Sequence, residues 1–299
     1  MRCRRHAVFD TVVIVGVGLI GGSLALGLKK HQLAQRVIGI SRTPDTLIQA
    51  QQRGVIDVGA TRLEAETAAA ADLIFLATPL GAFPAVFRQL AHLPLKQSCI
   101  ITDGGSAKQF VIDAVQQAFG TVPPNLVPAH PIAGKELSGV AAAEADLYVD
   151  HRVIITPTEM TDKQMCARVA DMWRALGACV ETMSPQFHDE VFAATSHLPH
   201  LLAYLLVDLL NEHPELGDVF QYTAGGFRDF TRIASSDPTM WRDIALYNHA
   251  AIAKWLKNYR AELDKVIQAV EAQDEQQLFH LFAGAKAARD QHIVRKQKT

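Results

Sequence analysis

Along the first part of the chain, short runs of β-branched and other apolar residues alternate with stretches whose apolar positions recur at helical spacing. The strand-like runs are Val12–Val15, Val37–Ile40, Leu73–Ala77, Ile100–Thr102, Leu126–Pro128, Val153–Thr156 and Cys179–Glu181. Between them lie stretches of helical length and spacing, among them Pro44–Arg53, Leu80–Leu90 and Ala107–Phe119. Strands apolar on both faces belong in a parallel sheet covered by helices. After about Ser184 the strand signals stop, and Phe187–Leu210, Met240–Asn258, Ala261–Ala272 and Glu275–Ala288 carry apolar residues at helical spacing. The pattern predicts two domains: an α/β domain over 1–183 and an all-helical domain over 184–299.

Within the helical part, Leu201–Leu210 (LLAYLLVDLL) is apolar almost all round, as in a helix buried on more than one side. A helical domain of this size offers little to bury it. The expected partner is a second copy of the chain, and the alternative is a central helix of one monomeric domain.

The first strand runs into Gly16-Val-Gly18-Leu-Ile-Gly21, a GxGxxG that closes a strand and opens a helix. The first glycine permits the tight turn, the second lets the backbone approach a pyrophosphate, and the third lets helix and strand pack closely. The helix start at Gly18, Leu19, Ile20 and Gly21 then offers N–H groups and partial positive charge to the phosphates. This predicts a Rossmann-type, dinucleotide-binding N-terminal domain. A signal peptide, with its basic start and apolar run, is the competing reading of Val12–Leu28. The glycines at Gly16, Gly18, Gly21 and Gly22 argue against it, and no other stretch approaches a continuous membrane span. The second strand ends Gly39-Ile-Ser41-Arg42-Thr43, without the carboxylate that accepts from the ribose of NAD. Ser41, Arg42 and Thr43 suit a ribose phosphate, so NADP is favoured over NAD.

Composition changes this picture little. With 49% apolar residues, 20% charged residues and a formal charge of −2, the chain has no electrostatic footprint for nucleic acid or anionic lipid. Four cysteines without a CxxC pair suit a reducing cytoplasm rather than a disulfide framework or a zinc site.

Three further segments carry candidate chemistry. In Thr102-Asp103-Gly104-Gly105-Ser106-Ala107-Lys108, Ser106 follows a strand whose carboxyl end should face the ligand cleft, though it could equally cap the next helix. In His130-Pro131-Ile132-Ala133-Gly134-Lys135-Glu136, His130 sits at the end of a strand where a general base would face the nicotinamide. The third segment joins Ser196-His197-Leu198-Pro199-His200 to GGFRDFTRIASSDPTMW, in which Arg228 and Arg232 are spaced to share a helix face and clamp carboxylates. The paired histidines lack a third ligand at metal-site spacing, so no metal is expected.

GVGLIGGS, TDGGSAK, HPIAGKELSG, SHLPH and GGFRDFTRIASSDPTMWRD, in this order, closely resemble the prephenate/arogenate (cyclohexadienyl) dehydrogenases of tyrosine biosynthesis, over roughly residues 10 to 290. The resemblance implies a nicotinamide-binding domain, a helical dimerisation domain and a small-molecule site served by both. It implies that His130 is the catalytic base and that Ser106 orients it. It further implies that Arg232 binds a substrate carboxylate, that His200 lines the site with Ser196 and Trp241 nearby, and that Arg228 contributes to recognition. Glu136 could attract the ammonium of arogenate, or could serve only as a helix-start carboxylate. Set against the resembled family, the loop Thr121–Asn125 is expected to lengthen the Ser106–His130 spacing by a few residues and to leave the chemistry intact. Two rivals remain at this point: a β-hydroxyacid dehydrogenase, which relies on a lysine of its helical domain, and a non-catalytic cofactor-sensing dimer.

Overall fold

The computed structural model describes residues 9–135 and 137–292; Cys3, Glu136 and the basic tail beyond His292 lie outside the described residues. Residues up to His249 form one compact unit and residues 250–299 a second.

The first unit is built on a six-stranded parallel sheet in the order β3-β2-β1-β4-β5-β6. Its strands are β1 (Phe9–Val15), β2 (Ala34–Ile40), β3 (Val58–Ala60), β4 (Leu73–Leu76), β5 (Ile100–Asp103) and β6 (Leu126–Val127). Helices α1 (Leu19–Lys30), α2 (Pro44–Gln52), α3 (Ala65–Ala70), α4 (Phe83–Ala91) and α5 (Lys108–Phe119) connect them. Val12, Ile14, Leu73, Phe75 and Ile100 are wholly buried, because helices cover both faces of such a sheet. The order reverses between β1 and β4, and ligands of doubly wound sheets bind at that switch point. The α/β Rossmann-type reading therefore holds.

The expected strand Leu126–Pro128 with His130 at its end needs correction. The parallel ladder stops at Val127, and Ala129–Ile132 form a separate strand, β7, in a second sheet β7-β8-β9 with β8 (Arg152–Ile155) and β9 (Cys179–Thr182). Pro128 has no N–H to continue a ladder; its carbonyl accepts instead from Thr156 N–H at 2.9 Å. β7 pairs antiparallel with β8, and His130 lies opposite Ile154. Helix α6 (Lys163–Ala175) precedes β9 and places Trp173 in the core, edge-on to both Phe75 and Tyr148.

Beyond β9 the chain is helical, with α7 (Pro185–Phe192), α8 (Leu198–Asn211), α9 (Gly225–Thr231) and α10 (Pro238–Tyr247) still in the first unit. The expected helix Phe187–Leu210 is a continuous run, but Ala193–His197 wind as a π-helix between α7 and α8. Such insertions re-aim side chains and recur at functional sites. The run Pro185–Asn211 is also long and apolar enough, by length and composition, to cross a membrane, which corrects the expectation that no second stretch approaches a span. It nevertheless carries His188, Asp189 and His197 at buried positions, and Asp189 accepts main-chain N–H groups from the start of α5.

Within this chain α8 buries only Leu198 and Ala203, while Leu205 and Leu209 are 59% and 51% exposed. Leu201, Leu202, Leu206, Val207 and Leu210 are half-buried, so the chain by itself encloses this helix incompletely. The second unit consists of α11 (His249–Glu271), whose first residue belongs to the first unit, and α12 (Glu275–His292). The expected break between residues 258 and 261 is absent. The helix instead breaks at Asn248, whose side chain is spent on tertiary hydrogen bonds.

Candidate active site

The glycine turn behaves as its spacing predicts. Gly16 adopts φ +98°, and a Cβ there would stand 2.7 Å from the Ala77 carbonyl group at the end of β4. A Cβ on Gly21 would meet the Gly16 oxygen at 2.1 Å and Ile14 Cγ2 at 2.7 Å, so α1 sits against β1 only because neither residue has a side chain. A Cβ added to Gly18 would meet nothing within 4 Å, and α1 starts there with no side-chain cap. Leu19 and Ile20 thus open a helix whose first N–H groups are not taken by a capping side chain, a fit for a pyrophosphate. At the end of β2, Ser41 is half-buried while Arg42 and Thr43 are exposed. The Ser41 hydroxyl accepts from Thr43 N–H at 3.4 Å.

His130 is anchored from below by an ion pair that the sequence reading did not single out. Lys108 and Asp103 are both sealed from solvent and pair directly. Lys108 Nζ also donates to the Ala129 carbonyl at 2.6 Å, and Asp103 accepts from Ala129 N–H at 3.2 Å and Gly105 N–H at 2.8 Å. Both main-chain groups of the residue before His130 are therefore tied to the β5–α5 loop. Ser106 lies half-buried in that loop, but the α5 N-cap is Ala107. The capping role weighed for Ser106 belongs to Asp189, whose carboxylate accepts from Lys108 N–H at 2.8 Å and Gln109 N–H at 2.9 Å.

Asp189 also reaches the imidazoles. His188 Nδ1 lies 2.8 Å from Asp189 Oδ1, and His188 Nε2 lies 2.9 Å from His130 Nδ1. Burial pushes His130 well below the ordinary histidine range, and His188, Lys108 and His197 add to the shift. Burial lowers His188 as well, against the opposing pull of Asp189. His197 is pushed down to about 4, chiefly by burial, and approaches the side-chain amide of Asn248 at 3.2 Å. Asn248 also donates to the Asp189 carbonyl at 2.8 Å.

The rings continue toward the arginine segment. Trp241 sits edge-on to His197 at 6.1 Å and stacks on His200 at 3.8 Å. Its buried indole N–H has no partner among the described residues. His200 Nδ1 donates to the Ser196 carbonyl at 2.8 Å, which leaves Nε2 as its acceptor atom. Burial pushes His200 below the ordinary histidine range; the hydrogen bond to Ser196 opposes this and the charge of Arg232 adds to it. Arg228 and Arg232 do not share one α-helix, because α9 ends at Thr231 and Arg232 opens a 3₁₀ turn. Arg228 donates to the Thr223 carbonyl at 3.3 Å. Glu136 lies outside the described residues. Among the described residues no group of three or more His, Cys, Asp or Glu is placed to hold a metal ion.

His188, Asp189, Asn248, Asp103 and Lys108 are the participants that the sequence reading missed. The signal available was a His-Asp pair inside an amphipathic helical run, eight and seven residues before Ser196. The helical segment is further tied to the sheet by Asp243, which accepts from Gly81 N–H at 2.9 Å in the loop after β4.

The family model described as "Prephenate dehydrogenase, nucleotide-binding domain" matches residues 24–182, and "Prephenate dehydrogenase, dimerization domain" matches residues 184–284. The chain is 39% identical to the prephenate dehydrogenase of Bacillus subtilis over 94% of its own length and 76% of the relative's. It is 36% identical to the cyclohexadienyl dehydrogenase of Zymomonas mobilis, over 94% and 96% respectively. Among solved structures, prephenate dehydrogenase from Aquifex aeolicus, in complex with hydroxyphenyl propionate and NAD+, superposes with a TM-score of 0.87 at 36% identity, covering 94% of this chain and 98% of that one. Synechocystis arogenate dehydrogenase gives 0.77 at 29%, covering 95% and 100%. A glycine turn at the sheet's switch point, a half-buried imidazole on β7 and a helical segment carrying rings and arginines thus coincide with two family models that together span most of the chain: it belongs to the prephenate dehydrogenase family.

Proposed function

We propose that this chain oxidatively decarboxylates prephenate to 4-hydroxyphenylpyruvate, and accepts arogenate to form tyrosine, as a cytoplasmic homodimer that prefers NADP over NAD. The observation that carries this reading is the cluster of rings that pairs His130 with His188 and sets Trp241 against both His197 and His200, with the charge of Arg232 felt at His200. It offers a base at one end and a carboxylate receptor at the other.

When bound, the nicotinamide supplies the acceptor for the hydride from the hydroxyl-bearing ring carbon. Gly16–Gly21 would hold its pyrophosphate, and Ser41, Arg42 and Thr43 its ribose phosphate. His130 removes the hydroxyl proton as the ring carboxylate leaves as carbon dioxide and the ring becomes aromatic. Aromatisation drives the reaction, so the protein's main tasks are alignment and the removal of one proton. Ser106 orients His130, Arg232 and His200 hold a substrate carboxylate with Ser196 and Trp241 beside them, and Arg228 adds to recognition. Glu136 draws the ammonium of arogenate. Residues 1–183 serve the cofactor, and residues 184–299 serve the dimer and the substrate.

The test mixes purified protein with prephenate or arogenate and each cofactor in turn, and follows the absorbance of reduced nicotinamide. Turnover of prephenate with a higher kcat/KM for NADP+ is expected, and Arg42→Ala should erase that preference while leaving the NAD+ rate unchanged. A loss confined to arogenate in Glu136→Gln supports the role given to that carboxylate. No reduction with either substrate overturns the proposal.

A further inference from the structure

His188 and Asp189 have no role in the reaction as set out so far, yet they form a hydrogen-bonded line that ends on the proposed base. Asp189 is fixed by two main-chain N–H groups of the α5 start and cannot rotate away without uncapping that helix. Its Oδ1 can only accept, so His188 carries a proton on Nδ1. Whether His188 also carries one on Nε2 decides what His130 can do. The groups that face the pair are Lys108 at the start of α5, Asp103 at the end of β5, Asp189 on α7 and His197 in the π-helix. His188 is wholly buried, and burial with the Lys108 charge outweighs Asp189 in favour of the neutral ring. A neutral His188 protonated on Nδ1 offers a bare Nε2 to His130, so the shared hydrogen belongs to His130 Nδ1.

We infer that His188 and Asp189 are positioning residues for His130: they hold its proton on Nδ1, leave Nε2 as the atom that accepts the substrate proton, and disperse the positive charge that results. This rests on the reading of His130 as the base. When the hydroxyl proton reaches Nε2, the imidazolium keeps its Nδ1–H···Nε2 hydrogen bond to His188, whose Nδ1–H already points at the Asp189 carboxylate. No other bond changes, and the proton leaves from Nε2 when product departs. A buried cation with no counter-charge would oppose proton removal, and Asp189 supplies that counter-charge two rings away.

The test compares four variants in the intact protein with prephenate as substrate. Asp189→Asn keeps an oxygen at Oδ1 for Lys108 N–H and His188, gives up the acceptor of Gln109 N–H, and removes the charge. Its kcat should fall by roughly ten- to a hundredfold with KM nearly unchanged, and the acid limb of kcat should move to lower pH, because a base without its counter-charge protonates less readily. His188→Gln can still accept from His130 Nδ1 through its amide oxygen, whereas His188→Leu cannot. Gln should retain at least about tenfold more turnover than Leu, the reverse of what a purely apolar packing role at a buried position requires. His130→Ala separates the two readings. If it turns over normally the base assignment fails. If it is crippled while Asp189→Asn keeps wild-type kcat and an unmoved acid limb, only the positioning role fails. Where a variant does not fold, the ring ¹⁵N signals of the wild-type protein decide: neutral His130 protonated on Nδ1 is expected, and protonation on Nε2 overturns the inference.

Discussion

Lys108 and Asp103 form an ion pair shut away from water directly beneath Ala129, the residue before His130. The pair costs desolvation, and it is retained where it can bind both the N–H and the C=O of one strand residue while holding the Ser106 loop. Removing one partner strands the other charge in the interior, a change that costs about 3–5 kcal/mol. Lys108→Met is therefore expected to lower unfolding stability by that amount in urea titration, and Lys108→Met combined with Asp103→Asn should recover part of it. A single variant as stable as wild type would show that the interior tolerates the bare carboxylate.

His130→Ala should lose about 10²–10⁴ in kcat, the contribution of a general base, with little change in the KM for prephenate. Steady-state rates measured above the acid limb check this directly.

Arg232→Ala should act on the other parameter. A charge-assisted hydrogen bond to a carboxylate, made in ground and transition states alike, contributes about 1.5–3 kcal/mol. The KM for prephenate is expected to rise roughly ten- to a hundredfold while kcat holds. An unchanged KM would assign Arg232 to the scaffold.

The buried histidines make stability depend on pH in a defined direction. The folded pKa of His197 is depressed from 6.5 to about 4, and those of His130 and His188 are depressed as well. Between the two values the unfolded chain binds more protons, so stability is complete above about 6.5 and drains away as the pH falls toward 4. His197 alone accounts for a loss on the order of 3 kcal/mol across that window. Thermal unfolding followed from neutral pH downward should show a falling Tm, and a flat profile would contradict the burial of these rings in neutral form.

Leu205 and Leu209 stand out from α8 with more than half of each exposed, a costly arrangement for a helix so apolar. Covered by a second copy, they would gain the burial that the chain alone does not provide. Leu205→Asp with Leu209→Asp should convert a dimer to monomers in sedimentation velocity, and an unaltered sedimentation coefficient would place the dimer contact elsewhere.

Local chemistry accounts for what was legible in the chain. The GxGxxG turn follows from steric demands within a few residues, and the alternation of apolar runs follows from the covering of the sheet on both faces. His130 and the arginine segment were likewise found as short motifs.

Long-range partnership was not legible. That Asp189 caps a helix some eighty positions earlier and orients the imidazole of His188 toward His130, 58 positions away, depends on how α7 seats against α5. That His130 leaves the parallel sheet at Pro128, and that α8 leaves Leu205 and Leu209 in the open, likewise depend on which surfaces meet. Periodicity records how much of a segment wishes to be buried, whereas the identity of its covering partner is a property of the assembled fold.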